Sequence, residues 1–140
     1  MSDTREIFLV DDEVAFTELM ATLLEAGAGR PVRAFNNPCE AVAALATANP
    51  AFIVSDLAMP EMNGFEFLRE VFRRRPDVPC LLVTGNHLEE GMVERNGTAS
   101  LIGVLFKPVS WRDIALLIFE HTGNGCLTAP AVLRESGSIV

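Results

Sequence analysis

The sequence is poor in the residues that would support several common kinds of site. It has no tyrosine, one tryptophan, two histidines and three cysteines among 140 residues. The cysteines (Cys39, Cys80 and Cys126) lie far apart and show no zinc-type spacing. An odd, sparse cysteine count is typical of a reducing compartment. Cys80 lies inside an apolar run, so we predict that it is a buried small hydrophobic residue.

Basic residues and long apolar runs are also scarce. The 11 Lys and Arg residues face 19 Asp and Glu residues, and the formal net charge is -8. A sequence-independent nucleic-acid binder needs a basic face, and the densest basic run, Arg69 with 73–75, is better explained as the end of a helix. No apolar run approaches the ~18 residues of a membrane span, and residues 1–6 do not resemble a signal peptide. We therefore expect a soluble, cytoplasmic chain that binds neither nucleic acid nor membrane directly.

The chain does contain short apolar runs that alternate with segments of helical spacing. The runs predict strands at 7–10, 32–35, 52–55, 80–83 and 102–106. The other segments predict helices at 14–26, with Val14, Leu19 and Leu24 among its apolar residues, and at 38–48, 65–75, 88–96 and 110–120. Continuous apolar strands are typical of a parallel sheet covered on both faces. We expect a three-layer α/β fold, flavodoxin-like and doubly wound, with five helices around a five-stranded parallel sheet of order 2-1-3-4-5.

Polar residues follow four of these strands directly. The first strand ends at Asp11 and Asp12, the third at Asp56, the fourth at Thr84 and the fifth at Lys107. The ligand site of an open α/β sheet lies beyond the carboxyl ends of its strands, at the point where the strand order reverses. With the order 2-1-3-4-5 the first and third strands are neighbours, so the three aspartates should converge there.

Such a cluster has a defined chemistry. Three neighbouring carboxylates repel one another, and a divalent cation relieves the repulsion. Oxygen ligands without histidine or cysteine favour Mg²⁺. Lys107 would supply a positive charge and Thr84 a hydroxyl group. Together these groups would stabilise an in-line transfer of a phosphoryl group onto a carboxylate.

The residues at the strand ends, taken as a set, resemble a known signature. The chain is similar, from about residue 7 to residue 120, to the receiver domains of two-component response regulators, the family of the chemotaxis regulators. The motifs that carry the resemblance are Asp11-Asp12, Asp56, Met59-Pro60 with Asn63-Gly64, Thr84, and Lys107-Pro108. We therefore divide the chain into a receiver domain at 1–121 and a tail or linker at 122–140, which could form a short helix.

The resemblance implies roles for the acidic residues. Asp56 would be the phosphoacceptor, phosphorylated by a histidine kinase or a histidine phosphotransfer protein. Mg²⁺ would be held by Asp56, by Asp12 directly, by Asp11 mainly through water, and by the backbone carbonyl of Ala58. The chain would then be a signalling switch and not an enzyme, with no catalysis beyond its own phosphorylation and dephosphorylation.

The resemblance also implies how the signal leaves the pocket. Thr84 and Lys107 would contact the phosphoryl group, and Pro108 would follow a cis peptide bond. The family usually has Tyr or Phe three residues before the lysine, where this chain has Val104. Phe106 should point to the same face of the strand as Val104. We therefore expect output to rely on backbone shifts of the fifth strand and the fourth helix, together with Phe106.

Two further features bear on lifetime and partners. Ala58 and Asn86 occupy the positions that tune dephosphorylation in this family. The last helix is apolar almost all round, from Trp111 to Phe119. Either residues 122–140 fold back over it, or the face made by helix four, strand five and helix five binds a downstream partner, an output domain or a second copy. The sequence leaves both readings open, and it does not decide between a stand-alone receiver and a piece of a longer protein.

Three other functions fit the sequence less well. A phosphatase of the haloacid-dehalogenase type would need Asp two residues after Asp11, where this chain has Glu13. A flavodoxin-like electron carrier would need an uncharged phosphate-binding loop after the first strand, and the acidic run there would repel a flavin phosphate. A degenerate receiver that only binds partners would lack some of the five site residues, and all five are present.

Overall fold

Strands and helices alternate along the part of the chain that a computed structural model describes, residues 5–122. The strands are β1 (Ile7–Val10), β2 (Val32–Phe35), β3 (Phe52–Asp56), β4 (Cys80–Thr84) and β5 (Leu101–Phe106). The helices are α1 (Val14–Ala28), α2 (Pro38–Ala44), α3 (Gly64–Arg74), α4 (Met92–Asn96) and α5 (Trp111–Thr122). All strand pairs are parallel and the order is β2-β1-β3-β4-β5, so the predicted fold is confirmed.

Two apolar cores lie on the two faces of the sheet. One core joins β1, β3, β4 and β5 to α1 and α5. The other joins the opposite faces of the same strands to α2 and α3, with α4 packed at its margin. Cys80 is fully buried in the second core, as predicted, and burial raises the pKa of its thiol to about 12. The sheet is therefore covered on both faces, and its carboxyl edge is the place where polar groups can meet.

The first helix buries a different side from the one that its apolar residues mark. Val14 is 52% exposed and Leu19 is 63% exposed, although Leu24 is fully buried. The buried side of α1 includes Thr17, whose hydroxyl group donates to the carbonyl of Val14 and accepts from the side chain of Asn36. A buried polar residue is tolerated there because its hydrogen bonds are satisfied.

The second helix is shorter than predicted, ending at Ala44 where 38–48 was expected. Beyond Ala44 the amides of residues 45–47 bond three residues back, which is the tighter 3₁₀ pattern. The side chain of Asn37 accepts from the amide of Cys39 and so caps the start of this helix. The guanidinium of Arg75 donates to the carbonyls of Leu45 and Ala48, so the irregular end of the helix is still satisfied.

The fourth helix is also shorter, with five residues at Met92–Asn96 where 88–96 was expected. Gly91 precedes it with φ 80°, a left-handed conformation that interrupts a helix, and offers no side-chain cap. Within residues 5–122 no helix combines the length and the apolar character that a membrane crossing requires. The predicted tail at 122–140 and its short helix lie outside the described residues beyond Thr122.

Candidate functional site

Three carboxylates meet at the carboxyl ends of β1 and β3. Asp11 follows the last residue of β1 and Asp56 is the last residue of β3, and Val10 pairs with Ser55 in these neighbouring strands. One carboxylate oxygen from each of Asp11, Asp12 and Asp56 lies within 4.8 Å of the others. Asp11 and Asp56 are buried, whereas Asp12 is exposed. The cluster is therefore a pocket that opens to solvent on the Asp12 side.

Asp11 is held by hydrogen bonds on both carboxylate oxygens. Its Oδ1 accepts from the amide of Glu13 at 2.9 Å, and its Oδ2 accepts from Nζ of Lys107 at 2.9 Å. Its backbone carbonyl accepts from Nδ2 of Asn36 at 2.8 Å, and the same Nδ2 donates to Thr17. The side chain of Asn36, just after β2, thus ties the first strand to α1 and fixes the floor of the pocket.

The ionised form of Asp56 is disfavoured by its surroundings. Burial, followed by the negative charge of Asp11, raises the pKa of Asp56 from 3.8 to about 6, and the charge of Asp12 adds to the rise. The positive charge of Lys107 and a hydrogen bond from the amide of Leu57 act in the opposite direction. Asp56 is still mainly ionised at neutral pH, but its charge is poorly compensated. A further cation in the pocket would stabilise the ionised carboxylate.

Lys107 places a positive charge between the two buried carboxylates. Its Nζ lies 2.9 Å from Oδ2 of Asp11, 3.6 Å from Oδ1 of Asp56 and 4.4 Å from the ring centroid of Phe16. Burial works against the charged amine, but the hydrogen bond and charge of Asp11, with the charge of Asp56, raise the pKa of Lys107. The ammonium group is therefore charged throughout the physiological range.

The end of β4 supplies a hydroxyl group to the same edge of the sheet. Thr84 is fully buried, and its Oγ1 accepts from the amide of Asn86 at 3.0 Å. The carbonyl of Thr84 accepts from the amide of Lys107 at 2.8 Å, so these residues are locked together through the backbone. The peptide bond between Lys107 and Pro108 is cis. Because Oγ1 accepts from Asn86, its own proton remains available for donation.

The loop after Asp56 approaches the strands closely. A Cβ atom on Gly64 would lie 2.5 Å from the carbonyl oxygen of Asp56 and 2.7 Å from the side chain of Leu82, so only glycine fits without a shift. Asn63 caps α3 in a reciprocal capping box with Glu66, a role that the motif Asn63-Gly64 did not by itself indicate. The capping box and the close approach of Gly64 hold this wall of the pocket in place.

Two residues at the rim of the pocket are exposed. Ala58, two residues beyond Asp56, and Asn86, two residues beyond Thr84, both face solvent. Asn86 already contacts the threonine hydroxyl through its backbone amide at 3.0 Å. Ala58 offers a backbone carbonyl but no polar side chain. The rim is thus open next to Asp56.

The fifth strand carries two apolar residues on the side of the sheet that faces α3 and α4. Val104 is fully buried, whereas Phe106 is half-buried, and both pack against the same core. Thr84 is the strand partner of Phe106, and Leu82 is the strand partner of Val104. Phe106 therefore lies next to Thr84 and packs against the same core as Met92 and Val93 of α4.

The apolar surface of α5 divides between the sheet and α1. Its fully buried residues face the sheet core. The ring of Trp111 lies against the backbone of Gly27, where a Cβ atom would overlap it. Beside this contact an apolar cavity of about 270 Å³ is lined by Gly27, Trp111, Arg112, Ala115, Leu116 and Phe119. Part of the apolar excess of α5 thus lies on its α1 side, away from α4.

Two residues that shape the pocket, Asn36 and Phe16, were not found by sequence reasoning. The motif Asn63-Gly64 was found, but the sequence did not indicate how closely Gly64 approaches Asp56. Asn36 and Phe16 act through contacts with residues that are distant in sequence. The one available signal was the position of Asn36, a polar residue directly after β2 at the carboxyl edge of the sheet.

Comparisons with known proteins all point to one family. A family model described as response regulator receiver domain matches residues 7–119. The chain is 36% identical over 86 residues to the C4-dicarboxylate transport transcriptional regulatory protein DctD of Rhizobium meliloti, covering 61% of this chain and 18% of that protein. It is 30% identical over 121 residues to the DNA-binding transcriptional activator DevR/DosR of Mycobacterium tuberculosis, covering 86% of this chain and 55% of that protein. The chain therefore spans only part of the length of these relatives.

Solved structures show the same architecture. A CheY-like response regulator receiver domain protein from Methanospirillum hungatei superposes with a TM-score of 0.73 at 25% identity, over 88% of this chain and 100% of the other. The chemotaxis protein CheY4 of Vibrio cholerae superposes with a TM-score of 0.68 at 28% identity, over 82% of this chain and 94% of the other. The likeness to these two proteins extends over nearly all of the described residues.

Proposed function

The chain belongs to the response regulator receiver family, and we propose that it is a phosphorylation-activated signalling switch in which Asp56 accepts the phosphoryl group. One observation carries the proposal: Asp56 ends β3 beside Asp11, with the ammonium group of Lys107 3.6 Å from its carboxylate. A buried nucleophilic carboxylate with a fixed cation beside it is suited to phosphoryl transfer. The donor would be a histidine kinase or a histidine phosphotransfer protein.

The same pocket fits Mg²⁺. All its candidate ligands are oxygen atoms, and the carboxylates of Asp11, Asp12 and Asp56 lie within 4.8 Å of one another. The raised pKa of Asp56 reports a deficit of positive charge at this point. We propose that Asp12 and Asp56 bind the ion directly, Asp11 mainly through water, and Ala58 through its carbonyl. When bound, the ion would neutralise charge on the phosphoryl oxygens and orient them.

The transfer itself is a simple displacement. One carboxylate oxygen of Asp56 forms a bond to phosphorus while the bond from phosphorus to the donor nitrogen breaks, and that nitrogen takes up a proton. Lys107 would pair with one phosphoryl oxygen and Thr84 would donate its hydroxyl proton to another. Thr84 ends β4 and Lys107 follows β5, its neighbour in the sheet, and the backbone hydrogen bond between the two residues keeps them together.

We propose that the signal leaves through β5 and α4. If the hydroxyl of Thr84 turns toward the phosphoryl group, it gives up its bond from Asn86, and the space beside it changes. Phe106 is the strand neighbour of Thr84 and is half-buried, so it is the side chain placed to respond. Val104 is fully buried and would serve as the packing surface beneath it. Output would then be read at the α4-β5-α5 face, where β5 forms the edge of the described sheet.

The lifetime of the phosphorylated state and the partners form the remaining part of the proposal. Ala58 and Asn86 flank the open rim, so they would control how water reaches the acyl phosphate. The exposed side chains of Val14 and Leu19 on α1 extend the surface that a donor protein would contact beside the pocket. A downstream protein, an output domain or a second copy would bind the α4-β5-α5 face. We propose no catalysis on other molecules, no direct binding to nucleic acid or membrane, and a cytoplasmic location.

Phosphorylation of the intact chain tests the proposal. After incubation with acetyl phosphate and Mg²⁺, the wild type should gain the mass of one phosphate, and the gain should disappear in Asp56→Asn or with excess EDTA. Asp77→Asn, which changes an exposed carboxyl at the opposite end of the strands, is the matched control and should gain the phosphate normally. A phosphate that persists in Asp56→Asn would overturn the assignment.

A further inference from the structure

Lys107 is contacted by an aromatic ring as well as by carboxylates. Phe16 is the third residue of α1, and its ring centroid lies 4.4 Å from Nζ of Lys107. An ammonium group within about 6 Å of a ring centroid is attracted by the negative face of the ring. Phe16 is half-buried and packs against the core that joins α1 and α5 to the sheet. The position of the ring is therefore set by the fold and not by the lysine.

Contact with the ring would restrict the movement of the Lys107 ammonium group. Its side chain is 23% exposed, and a four-carbon stem lets a strongly hydrated ammonium group swing into water. In the structure the ammonium is hydrogen-bonded to Asp11 at 2.9 Å but lies 3.6 Å from Asp56, the proposed phosphoacceptor. Two buried carboxylates attract it on one side, Glu13 adds a more distant negative charge, and the ring covers another side.

An aromatic face is suited to this place because it is neutral. A third carboxylate would also hold the ammonium group, but it would neutralise the positive charge of Lys107 that a phosphoryl group needs. An aliphatic side chain would fill the space but would leave that side of the ammonium without an attractive partner. The ring attracts the cation weakly and without neutralising it, so the ammonium stays in the pocket and can move from Asp11 to a phosphoryl oxygen.

We propose that Phe16 is a positioning residue whose ring face keeps the ammonium group of Lys107 at the phosphoacceptor. The inference rests on the proposed function, since it assigns to Phe16 a part in the phosphorylation of Asp56. Its effect should be moderate, because the ion pair with Asp11 remains when the ring is removed.

The first test compares substitutions that keep or remove the ring. Phe16→Leu should slow phosphorylation by acetyl phosphate roughly threefold to tenfold, the range expected for a partly desolvated cation–π contact, and Phe16→Tyr should restore the rate. The same change on another half-buried ring, Phe119→Leu, is the control and should leave the rate unchanged. A proton NMR spectrum without donor or Mg²⁺ gives an independent readout, because the ε-methylene protons of Lys107 should lose their upfield ring-current shift in Phe16→Leu only.

The second test separates the ring's electrostatics from its volume. Phenylalanine with one, two or three fluorine atoms, incorporated at position 16, keeps the shape of the ring and weakens its negative face step by step. The rate should fall progressively with each fluorine atom. A rate that is unchanged across the series, or a wild-type rate in a folded Phe16→Leu, would overturn the inference. If the wild type takes up no phosphate at all, the proposed function itself fails, which is a distinguishable result.

Discussion

The walls of the acidic pocket and the segment from residue 85 to residue 98 differ sharply in how they are built. Asp11, Asp56 and Thr84 are buried at the ends of strands that are paired in the sheet. The wall behind them, α3, buries five of its residues and begins with a reciprocal capping box. By contrast α4 has five residues, none of them buried, and its first residue follows a glycine without a side-chain cap.

This contrast teaches where a signal can be expressed. Segments with little burial and no cap open at a low cost in free energy, whereas a paired strand end opens only with much of the fold. Reactive groups benefit from a place at a paired strand end, because they must be in position before a reaction partner arrives. An element that changes between two states benefits from little burial and the lack of a cap, because both lower the cost of the change. The segment that contains α4 begins at Gly85, directly after Thr84 of the pocket, so the rigid part and the adaptable part are adjacent in the chain.

The largest expected effect comes from breaking the rigid wall. Gly64→Ala would place a Cβ atom 2.5 Å from the carbonyl oxygen of Asp56 and should lower the free energy of unfolding by about 2–3 kcal/mol, as overpacking of a core does. Gly85→Ala, in the adaptable segment, would meet Lys107 only at an ordinary contact distance of 3.9 Å and should change it by less than about 0.5 kcal/mol. Urea denaturation of both variants measures the difference.

The outcome decides whether the contrast is real. Similar losses in the two glycine variants would show that the segment after β4 is as tightly constrained as the wall after β3. A small loss in both would show that the loop after Asp56 can move aside, and that the pocket is less rigid than its contacts indicate.

A smaller effect should follow from removing the charge of Asp56. Folding raises the pKa of this carboxyl from 3.8 to about 6, so the folded state disfavours its ionised form. Below about pH 4 both folded and unfolded chains bind the proton and no penalty exists. As the pH rises from about 4 to about 6, the unfolded chain ionises first and stability is lost, after which the penalty is constant.

Asp56→Asn should therefore be more stable than the wild type above pH 6 and similar to it below pH 4. We expect a gain of no more than about 2 kcal/mol, because solvent at the pocket mouth screens the charges. Thermal or urea unfolding in EDTA across pH 4–8 measures it, with Asp77→Asn as the control at an exposed site. A gain of equal size at all pH values would contradict the electrostatic explanation.

The strands, and the polar residues that meet at their carboxyl ends, were predictable because they depend on local pattern. The apolar runs predict the strands directly, and β1, β3 and β4 are buried throughout, whereas the edge strand β2 is largely exposed. The polar residue after a strand is then placed by the strand order. Helix ends were less predictable, because α4 is cut short by the left-handed Gly91 and the end of α2 tightens into 3₁₀ turns. Periodicity also misjudged α1, where Thr17 is buried while Leu19 faces solvent.

The supporting contacts of the pocket were much less predictable. Asn36 reaches the carbonyl of Asp11 from the next strand, and the ring of Phe16 meets Lys107 from a residue 91 positions away (107 − 16). Such contacts depend on how segments approach in three dimensions, and no spacing in the chain encodes them. Their residues look ordinary in sequence, an asparagine beside a cap and a phenylalanine in a helix.

The smallest expected effect concerns the link between the two regions. We expect hydrogen exchange in α4 to change when beryllofluoride and Mg²⁺ fill the pocket, and Phe106→Leu should reduce that change by about 0.5–1 kcal/mol while beryllofluoride still binds. Phe106 is the strand neighbour of Thr84 and packs against the same core as Met92 and Val93 of α4, so removing its ring should weaken the packing that links Thr84 to α4. Val104→Ile, a change at a fully buried neighbour, should preserve the response. If Phe106→Leu keeps the full response and Val104→Ile loses it, the link runs through the core of β5 and not through the half-buried ring at its end.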